Sequence, residues 1–402
     1  MATVWKRVLI SSALLALLCF AAQRYNGHGH RRPPTSPIPV PRTTPDEIIA
    51  IRKTTTPSGH ADAAAAGCLP LAREAAAGTR RNFVVSPLSI HAALAFVAAG
   101  RQLLEFLGAP SLDALHGAPA MELLRELNGL NQTSFASGIW VDRRRALMPE
   151  FMAIGGEAAV DSSTLVVLAN ALYFKGTWSE QPFDPSATLD APFHTPDGTV
   201  VRVPFMTDRD DKLVAAYPGF KALKLPYKSD DGDGVRRSAA AFYMLLLLPD
   251  NNTTTMKLSD LYDQAVSTPG FIKDHTPAVK VPVGRFMVPK FKFTFEFEAS
   301  SDMRKLGLTK PFDRGDFSGM VSGRDVRGIT GVYHKATIEV DELGTVAAAA
   351  TAIVIDATAI GARKPPRPRV DFVADHLFLF AIVEERSSTV LFLGHVVNPL
   401  HH

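Results

Sequence analysis

The strongest constraint on the fold is a set of long strand patterns that come in blocks and do not alternate with helices. From Phe291 to Glu298, phenylalanine alternates with polar residues, which predicts a half-buried antiparallel strand. From Ala239 to Pro249 the run is apolar throughout, which predicts a strand buried on both faces. Further strands are predicted at 134–141, 165–175, 279–298, 332–341 and 370–397. Helices are predicted at 121–130 and within 61–78, where Pro70 forces a break or a late start and the helix ends near Gly78. A doubly wound sheet would need short βα units, so these blocks predict an α+β fold.

Composition and motifs exclude several classes of protein. The chain has 402 residues, of which 46% are hydrophobic, so it can bury a large core. Its net charge of +3 is too small and too evenly spread to indicate a nucleic-acid-binding protein. Two cysteines, Cys19 and Cys68, cannot form a disulfide framework, and no Cys/His spacing suits a metal site. The sequence has no nucleophile elbow, HExxH pair or P-loop, so we expect no enzyme, no cofactor and no metal.

The N-terminal residues predict export. Two basic residues precede an apolar run from Val8 to Ala22, which is shorter than the ~20 residues of a membrane span and suits a signal peptide. Residues 1–22 are therefore interpreted as a signal peptide of a secreted protein or, alternatively, as an uncleaved signal anchor in a membrane. Residues 23–58 are rich in Pro, Thr and Arg and predict an extended linker. The folded domain is then 59–402.

Glycosylation would follow from export. Three Asn-X-Ser/Thr sequons begin at Asn131, Asn251 and Asn252. Such sequons are used only in the secretory pathway, so a glycoprotein is predicted on condition that the leader is a true signal.

Residues 344–362 form an unusual run of small side chains between a clear strand and a stretch rich in Pro and Arg. One interpretation is an Ala-rich helix or a flexible surface loop. At the strand period of two, however, one face of the run is free of charge and consists of Thr345, Ala347, Ala349, Thr351, Ile353 and Ile355. Small uncharged side chains are what a segment needs if it is to enter the packed interior of a sheet.

Five long blocks of the sequence resemble the serpin family, and in particular its plant members. They follow the family's order and are 82–100 (NFVVSPLSIHAALAFVAAG), 168–178 (LANALYFKGTW), 288–298 (VPKFKFTFEFE), 333–351 (YHKATIEVDELGTVAAAAT) and 373–400 (VADHLFLFAIVEERSSTVLFLGHVVNPL). The resemblance implies three β-sheets surrounded by helices, with an exposed reactive-centre loop at 344–369. It also implies a monomer whose partner is a serine protease or a papain-like cysteine protease.

The resemblance further implies a mechanism in which the protease cuts the loop. The released arm then enters a sheet as a new strand, and the acylated protease is trapped. Counted from the hinge glutamate that Glu342 matches, the reactive bond is Thr358–Ala359. Small residues at this bond suit an elastase-like enzyme. A trypsin-like enzyme could instead cut after Arg363, although the basic stretch there is equally well interpreted as a solvated linker.

Two groups of site residues are carried over from the resemblance. The hinge and insertion residues are Glu342, Gly344, Thr345, Ala347, Ala349 and Thr351. The residues implied to let the sheet open are Ser86, Ser89, Asn170, Trp178 and His334. Each of these could also be an ordinary core residue.

The sequence departs from the family pattern in places that bear on inhibition. Leu343 and Val346 stand where the hinge usually carries charge, and Leu377 replaces a usual proline. Only residues 150–164 remain where the family has the rest of a helix, an edge strand and the long helix that covers the central sheet. The covering helix is therefore predicted to be missing. The alternative function is a non-inhibitory serpin, which is cleaved as a substrate or serves in binding or storage.

Overall fold

The computed structural model describes residues 68–401, with gaps at 78, 98–100, 117–122, 125, 128–129, 131, 142–165, 180–182, 230–240, 251–255, 314–327 and 346–368. All described residues belong to the unit Ala61–His402. The leader and linker predicted within 1–58, the shortened segment 150–164 and the sequons at Asn131, Asn251 and Asn252 lie outside the described residues. No helix in the described ranges is long and apolar enough to span a bilayer.

The helices of the described ranges are short. They are α1 (Leu69–Ala77), α2 (Pro87–Phe96), α3 (Arg101–Phe106), α4 (Leu112–His116), α5 (Leu258–Ser267), α6 (Phe271–Asp274), α7 (Ser300–Lys305) and α8 (Lys310–Asp313). Helix α1 begins at Leu69, with Pro70 in its first turn, where a missing amide hydrogen costs nothing, and the part of the predicted helix at 61–67 lies outside the described residues. In the region predicted as helix 121–130, residues 123–124 and 126–127 are helical.

The first sheet is antiparallel and contains the most deeply buried strands. Its order is β1 (Phe83–Val85), β16 (Val390–Val396), β15 (Phe378–Glu384), β9 (Phe242–Pro249), β8 (Phe220–Pro226) and β7 (Leu213–Tyr217). Every residue of β9, β15 and β16 is buried. The prediction of a strand buried on both faces between Ala239 and Pro249 is confirmed.

The second sheet has four strands, and one of them, β14 (Val370–Val373), is the first strand after residues 346–368. Its order is β14, β10 (Val283–Pro289), β6 (Val200–Thr207) and β5 (Leu189–His194). β14 runs parallel to β10, and the other pairs are antiparallel.

The third sheet carries the site. Its order is β2 (Thr133–Val141), β3 (Val166–Phe174), β12 (Gly331–Val340), β13 (Gly344–Thr345) and β4 (Gly176–Thr177), and β11 (Phe291–Glu298) also pairs with β12. In β11, Phe291, Phe293 and Phe295 are buried, Phe297 is half-buried, and the polar residues between them are exposed. The predicted alternation is therefore confirmed. Helix α2 packs against both β3 and β16 and thus lies between the third and first sheets.

Candidate functional site

The site is built around the line where β3 and β12 meet, which we call the seam. These strands run parallel, with Val332 opposite Leu168, His334 opposite Asn170 and Ala336 opposite Leu172. The other pairs of described strands in the third sheet are antiparallel. Parallel ladders are slightly less stable per residue than antiparallel ones. A strand that entered the seam antiparallel to both neighbours would replace one parallel ladder with two antiparallel ladders.

A buried polar cluster crosses the seam and consists of Ser86, Ser89, Asn170 and His334. The amide of Ser86 donates to His334 Nε2 at 3.0 Å, so His334 Nδ1 carries the hydrogen and donates to Asn170 Oδ1 at 2.6 Å. Ser89 Oγ donates to the same oxygen at 2.8 Å. Burial lowers the pKa of His334 to about 3, so the imidazole stays neutral at physiological pH. The structure thus brings together four residues that the resemblance grouped.

The same helix terminus positions two members of this cluster. Ser86 caps α2, with its hydroxyl accepting from the amide of Ser89, and Pro87 follows in the first turn. This cap holds Ser86 and Ser89 beneath β3 and β12.

The cluster leaves one strong donor unused. Asn170 Nδ2 is buried and finds no hydrogen-bond partner among the residues that the structure describes. An unpaired buried donor costs about 1–3 kcal/mol. Because Asn170 sits on the seam, an acceptor that entered between β3 and β12 could recover this free energy.

The hinge, residues 341–345, already lies partly within the sheet. Thr345 pairs with Val340 of β12 on one side and with Gly176 of β4 on the other, and Gly344 pairs with Thr177. Gly344 has a φ of 152°, and a Cβ there would lie 1.9 Å from the carbonyl oxygen of Gly176, so only glycine fits. β13 is therefore a short strand with partners on both edges at the end of the seam.

An ion pair and a hydroxyl hold Glu342 in place. Its carboxylate accepts from Lys290 Nζ at 2.7 Å and from Thr188 Oγ1 at 2.7 Å, and its carbonyl oxygen accepts from the amide of Phe183. Burial acts to raise the pKa of Glu342, but the hydrogen bonds from Lys290 and Thr188 outweigh it and hold the pKa below its ordinary value. The hinge is thus anchored through a charged carboxylate.

Replacing Glu342 should show this anchor in a pH titration of stability. A carboxylate whose folded pKa is lowered stabilises the fold above the unfolded pKa of 4.5 and loses this contribution as the pH falls through the folded value. We expect Glu342→Gln to lower the free energy of unfolding by about 1–2 kcal/mol at pH 7, since Lys290 is partly solvated. Urea denaturation of both proteins from pH 7 to 3 measures the difference, which should shrink below pH 4.5; a constant difference would contradict the anchor.

Trp178 lies directly beside the hinge. Its backbone amide donates to the carbonyl of Leu343 at 3.0 Å, and its indole Nε1 donates to the carbonyl of Asp341 at 3.1 Å. The indole is buried and stacks on Tyr227, with ring centroids 4.7 Å apart. The sequence did not single out Lys290, Thr188 or Tyr227, because each lies next to a strand far from the hinge in sequence and only the fold brings it there.

The predicted insertion residues beyond Thr345 and both candidate cleavage sites lie outside the described residues. They are Val346, Ala347, Ala349, Thr351, Thr358, Ala359 and Arg363. Within the described ranges, no group of three or more His, Cys, Asp or Glu side chains could hold a metal ion.

Comparison with known proteins identifies the family. Residues 153–399 match the family model Serpin (serine protease inhibitor). The chain is 55% identical to "Putative serpin-Z12" of Oryza sativa subsp. japonica over 403 residues, covering 86% of this chain and 93% of that protein. It is 37% identical to "Serpin-ZX" of Arabidopsis thaliana over 375 residues, covering 80% and 93% respectively. The solved structure of Arabidopsis AtSerpin1 in its native stressed conformation aligns with a TM-score of 0.71 and 32% identity, covering 87% of this chain and 100% of that one.

These alignments also compare the length of this chain with that of its relatives. Because 86% of 402 residues is fewer than the 403 residues of the rice alignment, the rice protein has residues at positions where this chain has none. The comparison with Arabidopsis Serpin-ZX shows the same excess. Within the aligned region, this chain is therefore shorter than both relatives. The fold of three sheets with surrounding helices, the family model and the curated relatives together show that the chain belongs to the serpin family of protease inhibitors and is of the plant type.

Proposed function

We propose that the protein inhibits a serine protease, or a papain-like cysteine protease, as a suicide substrate. The protease nucleophile attacks the carbonyl carbon of Thr358 and the bond to the nitrogen of Ala359 breaks. The leaving amine takes up a proton, and Thr358 stays bound to the protease as an acyl ester or thioester. The arm from Val346 to Thr358 then enters the seam before water can hydrolyse the acyl bond.

The double pairing of β13 carries this proposal, because it fixes the register of insertion. Continuing from Thr345 in antiparallel register along β12 puts Ala347 opposite Ile338, Ala349 opposite Ala336 and Thr351 opposite His334. Continuing the register set by β4 along β3 puts the same loop residues opposite Phe174, Leu172 and Asn170. The two registers agree with each other, since Ala336 already faces Leu172 and His334 already faces Asn170.

The inward face of the seam suits the residues that this register assigns to it. Ile338, Ala336, His334, Phe174, Leu172 and Asn170 are all buried. Thr345, Ala347, Ala349 and Thr351 would therefore point to the same buried side, where only small uncharged groups can be accommodated. Val346, which breaks the family pattern, falls on the opposite face of the inserted strand and is no obstacle to insertion.

Thr351 would have a specific role in this register. Its hydroxyl would lie between His334 and Asn170, where Asn170 Nδ2 lacks an acceptor among the described residues. Insertion would thus satisfy the unused donor and contribute to the free energy that drives the trap.

A matched pair of substitutions at Thr351 tests this role. We expect Thr351→Val to leave the stability of the uncleaved protein unchanged and to lower that of the loop-cleaved protein by about 1–2 kcal/mol. Thr351→Ser keeps the hydroxyl and should behave as the wild type. Denaturant unfolding of each protein before and after cleavage measures the effect; equal losses in both forms would contradict it.

The function itself is tested by incubating the purified protein with elastase-like, trypsin-like and papain-like proteases. A band of summed mass that survives boiling on a denaturing gel, together with a released fragment that begins at Ala359, is the expected result. A fragment that begins at Lys364 would move the reactive bond to Arg363. Cleavage with no covalent complex for any protease would overturn the proposal.

The alternative is a non-inhibitory serpin, and the shortening favours it. A protein without the covering helix would expose part of the central sheet, and Leu343 replaces a residue that is usually charged in the hinge. In that case the loop is cleaved, but the arm does not enter the seam in time. The gel assay separates the two functions, because only the inhibitor gives the boiling-resistant band.

We also propose that the inhibitor acts outside the cell. The apolar run from Val8 to Ala22 supports a secretory leader, and the small, evenly spread net charge argues against nucleic-acid binding. A monomer is what the serpin resemblance implies. N-terminal sequencing of the protein from culture medium tests export, and a mature N-terminus near Gln23 is expected.

A further inference from the structure

Tyr227 makes a side-chain hydrogen bond to the part of the hinge that is already paired within the third sheet. Its hydroxyl lies 2.6 Å from Thr345 Oγ1, and both side chains are fully buried. The ring stacks on Trp178 with an interplanar angle of 14°, and the two residues also form an isolated β-bridge. Tyr227 is thus fixed on one side by Trp178 and holds the first inward-facing residue of the hinge on the other.

The backbone around Tyr227 is shaped to admit this contact. A Cβ at Gly176 would lie 2.5 Å from Cδ1 of the Tyr227 ring, so the glycine leaves the space that the ring occupies. Gly176 is also the β4 residue that pairs with Thr345. Gly176 therefore has two roles: its backbone pairs with Thr345, and its lack of a side chain leaves room for the Tyr227 ring to reach Thr345.

The contact persists across a wide pH range. Burial raises the pKa of Tyr227 far above its ordinary value, so the phenol keeps its hydrogen and one hydroxyl can always donate to the other. Removing the phenol oxygen would leave the buried Thr345 hydroxyl without the partner seen here.

We propose that Tyr227 is a positioning residue that holds Thr345 within the third sheet before cleavage, so that insertion starts from a strand already paired on both edges. This inference rests on the proposed function. The first pairs of a β-ladder are unfavourable to form, because they order the chain before the later hydrogen bonds that stabilise it have formed. A preformed β13 removes that slow first step. Insertion then competes better with hydrolysis of the acyl bond, and more protease is trapped for each loop that is cut.

The first arm of the test needs no protease. We expect Tyr227→Phe to raise hydrogen exchange of the 342–345 amides in the uncleaved protein roughly five-fold, as loss of one net hydrogen bond predicts. Tyr262→Phe is the matched control, since Tyr262 is another buried tyrosine and its hydroxyl bonds to His395 Nδ1 at 2.8 Å, away from the hinge. It should leave exchange of these amides unchanged.

The second arm uses a protease that forms the covalent complex with the wild type. Tyr227→Phe should raise the ratio of cleaved to trapped product roughly five-fold without changing the rate at which the loop is first cut. Thr345→Val should have a similar effect, and the double variant should be no worse than the worse single one, because both remove the same bond. Thr345→Ser should restore wild-type behaviour.

The outcomes distinguish failure of the proposed function from failure of the latch, by which we mean the hydrogen bond between Tyr227 and Thr345. If Tyr227→Phe changes neither hinge exchange nor the product ratio, or if Tyr262→Phe changes them equally, the latch is overturned while inhibition stands. If the wild type forms no complex with any protease, the proposed function fails, and the exchange arm alone decides whether Tyr227 holds the hinge.

Discussion

Ala349→Arg is expected to abolish the covalent complex with the target protease, whereas Ala348→Arg is expected to preserve it. In the proposed register Ala349 points inward between Ala336 and Leu172, both of which are buried. An unpaired guanidinium there would cost several kcal/mol, more than one strand pairing can recover. Ala348 falls on the opposite face, beside Thr337, which is partly exposed and shares a hydrogen bond with Thr294.

The two variants form a matched pair, because they place the same charge at adjacent positions. Both loops should be cut at the same bond and at similar rates. Denaturing gels should then show the cleaved protein alone for Ala349→Arg and the boiling-resistant complex for Ala348→Arg. If both variants trap the protease, or if both fail, the register of insertion is wrong.

Cleavage of the loop is expected to raise the melting temperature of the wild-type protein by roughly 20 °C. Insertion replaces the single parallel ladder of the seam by two antiparallel ladders, and each added hydrogen bond contributes about 0.5–1.5 kcal/mol. Summed over the arm, this gives on the order of 10 kcal/mol, and a domain of this size gains about 2 °C for each kcal/mol. The native form would therefore be metastable and kept from the inserted form by a kinetic barrier.

Differential scanning calorimetry before and after limited proteolysis measures this shift. Ala349→Arg, nicked at the same bond, is the control and should show no rise, because its arm cannot enter the seam. An unchanged melting temperature in the nicked wild type would support the non-inhibitory alternative, in which the loop is cut but stays outside the sheet.

Local periodicity predicted the strands well because each pattern reflects burial within one segment. The run to Pro249 is buried on both faces, and the phenylalanines of 291–298 face the core, as expected from their spacing. Helix α1 begins at Leu69 with Pro70 in its first turn, which agrees with the break or late start expected from Pro70 in the Ala-rich stretch.

The contacts that define the site could not be predicted in this way. Lys290 reaches Glu342 and Tyr227 reaches Thr345 only because β-strands distant in sequence become neighbours. Sequence periodicity does not predict the register between such strands. It therefore could not predict that β13 pairs with β4 or that the side-chain amide of Asn170 lacks a partner among the described residues. The grouping of Ser86, Ser89, Asn170 and His334 was available beforehand only through the family resemblance.

In the proposed mechanism, the cut arm enters the seam in one defined register. The most direct measurement is a crystal structure of the protein after cleavage at Thr358–Ala359. We predict a new strand between β3 and β12, antiparallel to both, with the Thr351 hydroxyl between His334 and Asn170 and accepting from Asn170 Nδ2. A cleaved structure in which His334 still pairs directly with Asn170, as it does before cleavage, would show that the arm does not enter the seam.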